Sequence, residues 1–523
     1  MTALSGGNPL FVLELTRHLR DRGESGLALP ETLEAVLKRR LSELSDECRD
    51  VLKVAAHIGD SFGLLALSAA CGRQAEETRK LIDEAVAAGI VSGSRRAFHF
   101  EQRSWVHLLK SELDENQRRE LHATLADVLE DLYASAGGEH AIEIANHLLA
   151  ASEPSDSSDA RDTVRVHHYC RQAGEQALAM YAWREAGRYF AAAADASADT
   201  TEADRAGLHL RGGIAFNHDW DVVSCMHHYE RAAAGFRHCG DHAGVAWALM
   251  YMTRARLTMA SAAYGDQIDV AELERAAESL RISDPALRAM LLELLSEVAW
   301  MSGSSPRARQ LAEEALVIGH NLENDEVCHH ACMGLALAHF QSLHVREASD
   351  SWRDALLHAR ALDSGWLAAP AATRDAMALI HLGRFTEADA TLDEALATAR
   401  RAHNLGELSF GSAQRAVLRA GRGDADGASR ASDESLNMMR RSRYPWGGPF
   451  AVLARMSACV LRGHLQQARE GIQDLVQPGI VFDEPGHASL LLVAVAELWI
   501  DAIARRPLDQ ERLTNLVALV AAA

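Results

Sequence analysis

Histidine and cysteine side chains offer the most obvious metal-binding chemistry in this sequence, because imidazole and thiolate are preferred ligands of Zn²⁺. Cys328 and Cys332 lie four residues apart and would share one face of a helix. A structural zinc site needs four converging ligands, and no ligand spacing typical of one is present. We therefore expect no metal site; buried cysteines and surface histidines account for the pattern. The adjacent-histidine pairs with a nearby cysteine are His167–His168 with Cys170, His227–His228 with Cys225, and His329–His330 with Cys328 and Cys332.

The two glycines in Ser5-Gly6-Gly7-Asn8-Pro9 suggest a phosphate-binding loop. Asn8 is a good N-cap acceptor and Pro9 suits the first helical position, so these residues predict the start of a helix. A Walker-type loop also requires a lysine after its glycines, and none of the four lysines in the chain follows a glycine. We expect no P-loop and no bound cofactor.

Residue types that are common in catalytic sites are present, but their spacing does not match a known catalytic set. Adjacent carboxylates such as Glu130–Asp131 and Glu313–Glu314 are expected on solvated helix faces in an acidic protein. The spacing supports neither a Ser–His–Asp nor a Cys–His set. We predict that the chain is not an enzyme.

Aromatic residues are candidates for a binding surface. Trp300 and Phe340 occupy equivalent positions of an internal repeat, in a register that aliphatic residues continue, which predicts a packing position between helices. A second group lies near the starts of predicted helices, where repeat proteins often form a concave binding face. The residues predicted to contact an effector or partner are Trp366, Phe410, Tyr444 and Trp446.

Composition limits the classes of partner and location. The chain has 523 residues, and its 53 basic and 73 acidic residues give a formal net charge of −20, which opposes binding to nucleic acid. The apolar run from Leu490 to Ala496 is far shorter than the ~20 residues of a membrane helix. Eight scattered cysteines do not suggest a disulfide framework. We expect a cytoplasmic protein of several domains that binds neither DNA nor a membrane.

An internal repeat with a period of about 40 residues organises the C-terminal part of the chain. Small residues mark three positions of the repeat, and Gly383, Gly423 and Gly463 lie five residues before one of them. Each repeat therefore predicts a helix, a glycine turn and a second helix, with small residues where the two helices approach closely. The small residues are Ala308, Ala348, Ala388, Ala428 and Ala468; twelve positions earlier, Ser296, Ala336, Ala376 and Ala416; and seven positions later, Ala315, Ala355 and Ala395.

These patterns predict an all-α fold. Residues 161–523 are expected to form a superhelix of helical hairpins similar to the tetratricopeptide repeat, whose shorter period of about 34 residues is exceeded here by longer helices or loops. A small winged-helix-like domain over residues 46–112 precedes it, with a strand pair between residues 89 and 100. Connecting helices and a linker occupy residues 113–160.

The order of segments resembles a known family. GGNPLFVLEL is followed by LPETLEAVLKRRLSELSDECRDVLKVAAHIG, LIDEAVAAGIVSG, FHFEQ and RRELHATLADVL. This order is similar to the C-terminal two-thirds of the large LuxR-type, MalT-like transcriptional regulators of the STAND ATPase class. In that family a P-loop domain precedes a small helical domain, a winged helix and a helical-repeat sensor.

The resemblance implies roles for particular residues. Gly7-Asn8-Pro9 matches the Gly-x-Pro motif of the family, whose proline packs near the adenine, so residues 1–45 resemble a remnant of the small helical domain with Pro9 on the adenine side. An ATPase domain is then the implied partner at the N-terminus. Phe100-Glu101-Gln102 departs from the Phe-x-His of the family, and the final TNLVALVAAA contains no basic recognition helix.

The resemblance implies a signal-sensing and protein-interaction module of a transcriptional regulator, which binds a protein or small-molecule effector on the repeat surface. Two alternatives stay open. The chain could be a free-standing tetratricopeptide-like scaffold in which residues 1–110 form a cap, or a fragment of a multidomain nucleotide cyclase or ATPase.

Overall fold

The structure is a computed structural model that describes residues 33–94, 97–134, 138–152, 160–196, 200–219, 221–259, 268–442 and 447–472. Pro9, Tyr444 and Trp446 lie outside these ranges. The described residues belong to two compact units that divide between Thr200 and Thr201. Within the described part of the chain, no helix combines the length and apolar character needed to cross a membrane.

The first unit consists of helices and one small antiparallel sheet. Its elements are α1 (Leu33–Leu41), α2 (Asp46–Ile58), β1 (Ser61–Phe62), α3 (Leu64–Ala70), α4 (Ala75–Ala87), β2 (Val91–Gly93), β3 (Phe98–Phe100), α5 (Arg103–Ser111), α6 (Glu115–Leu132), α7 (Ala141–Ala151), α8 (Ala160–Ala179) and α9 (Trp183–Asp195). The strand order is β1–β3–β2. The predicted strand pair is confirmed as β2 and β3, with Val91 opposite Phe100. The short elements β1 and α3 are additions to the sequence-based prediction.

The core of the first unit lies among helices α1 to α5 and the sheet. Buried residues of α2 follow the spacing of one helix face, from Cys48 through Leu52 to Ala55. Trp105 of α5 is fully buried, with the Arg40 guanidinium 5.4 Å from its ring centroid. Helices α8 and α9, which the sequence analysis assigns to the repeat region, fall within this first unit.

The second unit is a series of antiparallel helix pairs, here called the array. Its helices are α10 (Glu202–His218), α11 (Val222–Cys239), α12 (His242–Met259), α13 (Val270–Ser279), α14 (Pro285–Met301), α15 (Ser305–Asn321), α16 (Asp325–Gln341), α17 (Val345–Ala361), α18 (Gly365–His381), α19 (Phe385–Arg401), α20 (Leu405–Gly421), α21 (Ala425–Ser442), α22 (Gly448–Leu461) and α23 (Leu465–Ile472). From Pro285 of α14 to Ala425 of α21 the helices start at a constant interval, so the hairpins follow one another in strict register. The all-α repeat fold predicted from the sequence is confirmed.

The repeated small residues lie where the helices of the array cross. Ala376 of α18 and Ala388 of α19 are both fully buried and belong to one cluster with Leu392. The predicted close approach across the turn of this hairpin is confirmed. The other residues of the same alanine series, Ala308, Ala348, Ala428 and Ala468, are also fully buried.

The turns inside the hairpins share one backbone feature. Gly303, Gly383, Gly423 and Gly463 have φ between 72° and 81°, in the left-handed region that glycine adopts without steric cost. Leu343 occupies the same position in the turn between α16 and α17, with φ 62°. This turn therefore retains the geometry of the repeat at the cost of strain in one leucine.

Candidate functional site

The first helix of each pair in the array contacts the first helix of the next pair. α12 contacts α14, α14 contacts α16, and the series continues through α18, α20 and α22. These six helices contact one another through one set of side chains. We call the surface that these side chains form the first-helix face. In the described part of the array, the ion pairs Arg254–Glu293 and Arg374–Glu407 cross it.

The first ion pair joins α12 to α14. Arg254 Nη2 donates a hydrogen bond of 2.8 Å to Glu293 Oε2. The Glu293 side chain is 7% exposed and the Arg254 side chain 33%. Burial raises the pKa of the Glu293 carboxyl to about 7; Arg254 opposes this shift, and the neighbouring Glu297 carboxylate adds to it. Burial and Glu297 thus favour the neutral form of Glu293, and Arg254 favours its carboxylate.

Two aromatic rings lie on the same face of α12 as Arg254. Trp247, Tyr251 and Arg254 follow the i, i+4, i+7 spacing of one helix face. The Trp247 and Tyr251 rings are partly exposed and stack with centroids 5.9 Å apart. Tyr251 also interacts electrostatically with Glu326 of α16, which is exposed. The two partly exposed rings thus lie near Arg254 and Glu326, and Glu297 lies near Arg254.

The second ion pair, between α18 and α20, is more deeply buried. Arg374 Nη1 lies 3.3 Å from Glu407 Oε2, and the guanidinium carbon lies 5.1 Å from the Phe410 ring centroid. Among the described residues, the buried atoms Glu407 Oε1 and Gln414 Nε2 have no hydrogen-bond partner. This region is a polar part of the core rather than an open surface.

The structure gives the predicted aromatic residues different environments. Trp366, the second residue of α18, is 52% exposed and can contact a partner as it stands. Phe410 is only 5% exposed and packs edge to face against Phe450 of α22, with ring centroids 5.7 Å apart. Phe340 is partly buried beside the fully buried Trp352. Phe410 therefore contributes to packing between helices, and Trp366 is the exposed member of the predicted set within the described residues.

Sequence reasoning missed the charged residues of the first-helix face, although the repeat register contains a signal for them. Glu297 and Glu407 are carboxylates at positions where neighbouring repeats have aliphatic side chains. A charged side chain that is buried or half-buried in place of an aliphatic one requires a partner. Its presence is therefore not explained by hydrophobic packing alone. The equivalent residues are Leu337, Met377 and Val417 for Glu297, and Leu287, Val327 and Leu367 for Glu407.

The two cysteines of α16 lie in different surroundings. Cys332 packs with Ala355 and Ala371. Cys328 instead lies close to two histidines of neighbouring helices, His320 and His358, and one donor atom from each of the three residues lies within 4.8 Å of the others. The helical pairing of Cys328 with Cys332 considered from the sequence is therefore not the one that the structure brings together.

Helix pairs that recur at one constant interval define a tetratricopeptide-like helical-repeat protein. No protein-family model matches the sequence, and no curated protein matches it. Similar solved structures include a signal transduction ATPase with numerous domains (STAND) from Pyrococcus horikoshii that has a tetratricopeptide repeat sensor, with 11% identity, 99% of this chain and 68% of that chain covered, and a TM-score of 0.42. A Rap protein in complex with competence and sporulation factor has 11% identity, coverage of 74% and 96%, and a TM-score of 0.44. Yeast Tom70 has 12% identity, coverage of 84% and 96%, and a TM-score of 0.36.

Proposed function

We propose that this chain is a signal-sensing and partner-binding module, and that its first-helix face binds the effector or partner. The observation that carries the proposal is the accessible Trp247–Tyr251 surface beside the Arg254–Glu293 ion pair. Ligand recognition commonly uses partly exposed aromatic rings beside an arginine side chain.

The charges around the aromatic rings favour a cationic ligand. Glu297 and Glu326 contribute two carboxylates, and Glu293 contributes a third whenever it is ionised, against the one positive charge of Arg254. Aromatic faces attract lysine and arginine side chains, and carboxylates pair with them. We propose a peptide or protein segment with basic side chains as the ligand.

The wider context of the proposal comes from the sequence. The resemblance to LuxR-type, MalT-like STAND regulators supports a sensor that acts, without enzymatic activity or DNA binding of its own, together with an ATPase domain in the cytoplasm. The winged-helix-like region would couple the two. A free-standing scaffold and a fragment of a nucleotide cyclase or ATPase are the alternatives, and they differ in whether residues 1–110 bind an ATPase domain and whether catalysis accompanies it.

The binding proposal is tested by selecting peptides from a random displayed library on the full chain and measuring their affinity by calorimetry. We expect enrichment of basic peptides, and a loss of affinity of about 2- to 30-fold in Trp247→Ala, the range that cation–π contacts provide. Glu297→Gln should also weaken binding.

Two control variants make the selection informative. Glu313→Gln changes an exposed carboxylate on the second helix α15 and should bind like the parent. Trp366→Ala distinguishes the first-helix face from the other exposed aromatic candidate. Enrichment of acidic peptides, or equal affinity in the parent, Trp247→Ala and Glu297→Gln, would refute the proposed ligand class and face.

A further inference from the structure

Three metal-ligating side chains meet on three consecutive helices of the array. His320 lies at the end of α15, Cys328 in the first turn of α16, and His358 in the last turn of α17. One donor atom from each lies within 4.8 Å of the other two. Donors of a tetrahedral Zn²⁺ site lie about 3 to 4 Å apart, given metal–ligand bonds of ~2.0–2.3 Å. His320 is exposed, so its side chain can change rotamer.

A carboxylate holds one ring nitrogen of His358. Its Nδ1 lies 2.7 Å from Asp325 Oδ1 at the start of α16. A carboxylate on one ring nitrogen fixes the ring and leaves Nε2 for a metal, which is the usual arrangement around histidine ligands of zinc. Asp325 therefore has the position of a residue that orients a ligand.

The backbone next to Cys328 is closely packed at Gly319. A Cβ atom at Gly319 would lie 2.8 Å from Cys328 Sγ and 2.9 Å from Val327 Cγ1, closer than such contacts allow. The equivalent residues of the next two repeats are Ala359 and Ala399, both fully buried. Glycine thus replaces the alanine of the repeat where the sulfur atom has to fit.

The donors themselves also depart from the repeat together. Each position holds a residue that cannot serve as the same kind of ligand in the repeats that follow, so packing does not dictate the three donors. The equivalents are Arg360 and Arg400 for His320, Ala368 and Leu408 for Cys328, and Thr398 and Met438 for His358.

We propose that His320, Cys328 and His358 form a Zn²⁺ site that joins the hairpin α14–α15 to the hairpin α16–α17, with Asp325 as the residue that positions His358. Two imidazoles and one thiolate are a donor set that suits zinc. Three protein ligands leave one tetrahedral position for a water molecule. On binding, the Cys328 thiol loses its proton to solvent and its sulfur bonds to the metal, so one proton is released per zinc from this residue.

The test uses the full chain after removal of metal with a chelator. Co²⁺ is added first, because a tetrahedral cobalt–thiolate site gives intense visible bands and a sulfur-to-cobalt charge-transfer band. We expect these bands to saturate with one Co²⁺ and to disappear when Zn²⁺ is added. Zn²⁺ affinity is then measured by competition with a chromophoric chelator.

Variants assign the site to its residues. Cys328→Ser should abolish the charge-transfer band, and His320→Gln, a change at an exposed residue, should lower the Zn²⁺ affinity about tenfold or more. Asp325→Asn should lower it about 10- to 100-fold while retaining the charge-transfer band, as expected of a positioning residue. Cys332→Ser, one turn further along α16, is the matched control and should leave both unchanged.

Three results would overturn the proposal. These are the absence of a cobalt–thiolate spectrum in the parent chain, an unchanged spectrum in Cys328→Ser, and equal Zn²⁺ affinities in the parent and His320→Gln. Circular dichroism of each variant before metal addition shows whether its helices are intact. Because His320 is exposed, His320→Gln keeps the proposal testable even if the buried Cys328→Ser fails to fold.

Discussion

Two successive stretches of the array have the same backbone frame and different chemistry. Residues 285–361 and residues 365–442 each contain two hairpins with the same helix spacing and the same buried small residues. In the first stretch, Glu297 is partly exposed and His320 is exposed, whereas Glu293 is buried; in the second, Glu407 is enclosed in the core and Trp366 is exposed. The comparison indicates that repeated residues determine how the helices pack, and that departures from the repeat determine what each stretch can bind.

The largest effect on stability is expected at Glu407, a buried residue that differs from its equivalents in other repeats. Arg374→Met leaves the Glu407 carboxylate buried without its charge partner, which typically costs about 3–5 kcal/mol of unfolding free energy. Glu407→Leu restores the aliphatic residue found in other repeats and should cost much less, because the 18% exposed Arg374 side chain retains contact with solvent. Urea unfolding of the full chain measures both. Equal losses of unfolding free energy in the two variants would contradict the idea that the buried Glu407 carboxylate depends on Arg374 as its charge partner.

A substitution in the shared frame should have the next largest effect. Ala388→Leu places a larger side chain in the crossing of α18 and α19, and overpacking a core typically costs ~1–3 kcal/mol. The melting temperature should fall clearly. Glu387→Gln, its exposed neighbour, should change the melting temperature little. If both variants melted like the parent, the crossing would be less constrained than the repeat register implies.

The first unit lacks the repeat register of the array in its described residues and contains two histidines in contact, the half-buried His122 and the buried His147. A similar pair, His209 and His228, lies in the array. His122 Nδ1 and His147 Nδ1 lie 2.8 Å apart. Burial is the main cause that lowers the pKa of both to about 4, and positive charges add to it, from His147 and His57 at His122 and from Lys110 and His57 at His147. The unfolded chain therefore gains protons below its ordinary histidine pKa of about 6.5, whereas the folded unit does so only near pH 4.

The stability contribution of these neutral histidines is present above pH 6.5 and is lost as the pH falls towards 4. For His147 the slope is about 1 kcal/mol per pH unit. Hydrogen exchange of α6 and α7 at pH 7 and pH 5, corrected for intrinsic rates, should show greater opening at pH 5. His147→Gln should reduce this dependence, and the exposed control His107→Gln should not. A pH dependence of equal size in the parent and in His147→Gln would contradict the role given to this histidine pair.

The smallest effect is expected at a departure that carries no proposed function. Leu343→Gly relieves left-handed backbone strain of ~1–2 kcal/mol and adds glycine's entropy cost of ~0.5–1 kcal/mol, so a small net stabilisation should result. Gly383→Leu, at the same position of the next hairpin, should be destabilising. Thermal unfolding compares the two, and a loss of stability in Leu343→Gly would show that the leucine contributes to packing.

The repeating features of the fold were predictable because they are periodic in sequence. The alanine and glycine series defined the hairpins, and the crossing at Ala376 and Ala388 followed from them. The strand β1 was not predictable, since two residues have no periodicity and its pairing is formed with β3, far along the chain. The burial of Phe410 depends on Phe450 of another helix, which a local pattern does not contain.

The candidate sites required the three-dimensional register. Glu297 stands out once repeats are aligned, so a comparison of equivalent positions could have found it. The set His320, Cys328 and His358 is different, because its members lie on three separate helices and occupy different positions in them. Only the packing of α15, α16 and α17 brings them together.

Binding of a basic ligand to the first-helix face can be located by amide hydrogen exchange. Exchange is measured in the full chain with and without a selected basic peptide. We expect the peptide to slow exchange in α12, α14 and α16, with little change in the second helices α15 and α17. We also expect this protection to be lost in Trp247→Ala. Protection confined to the second helices, or protection of α12, α14 and α16 that persists in Trp247→Ala, would contradict binding of the peptide to the first-helix face through Trp247.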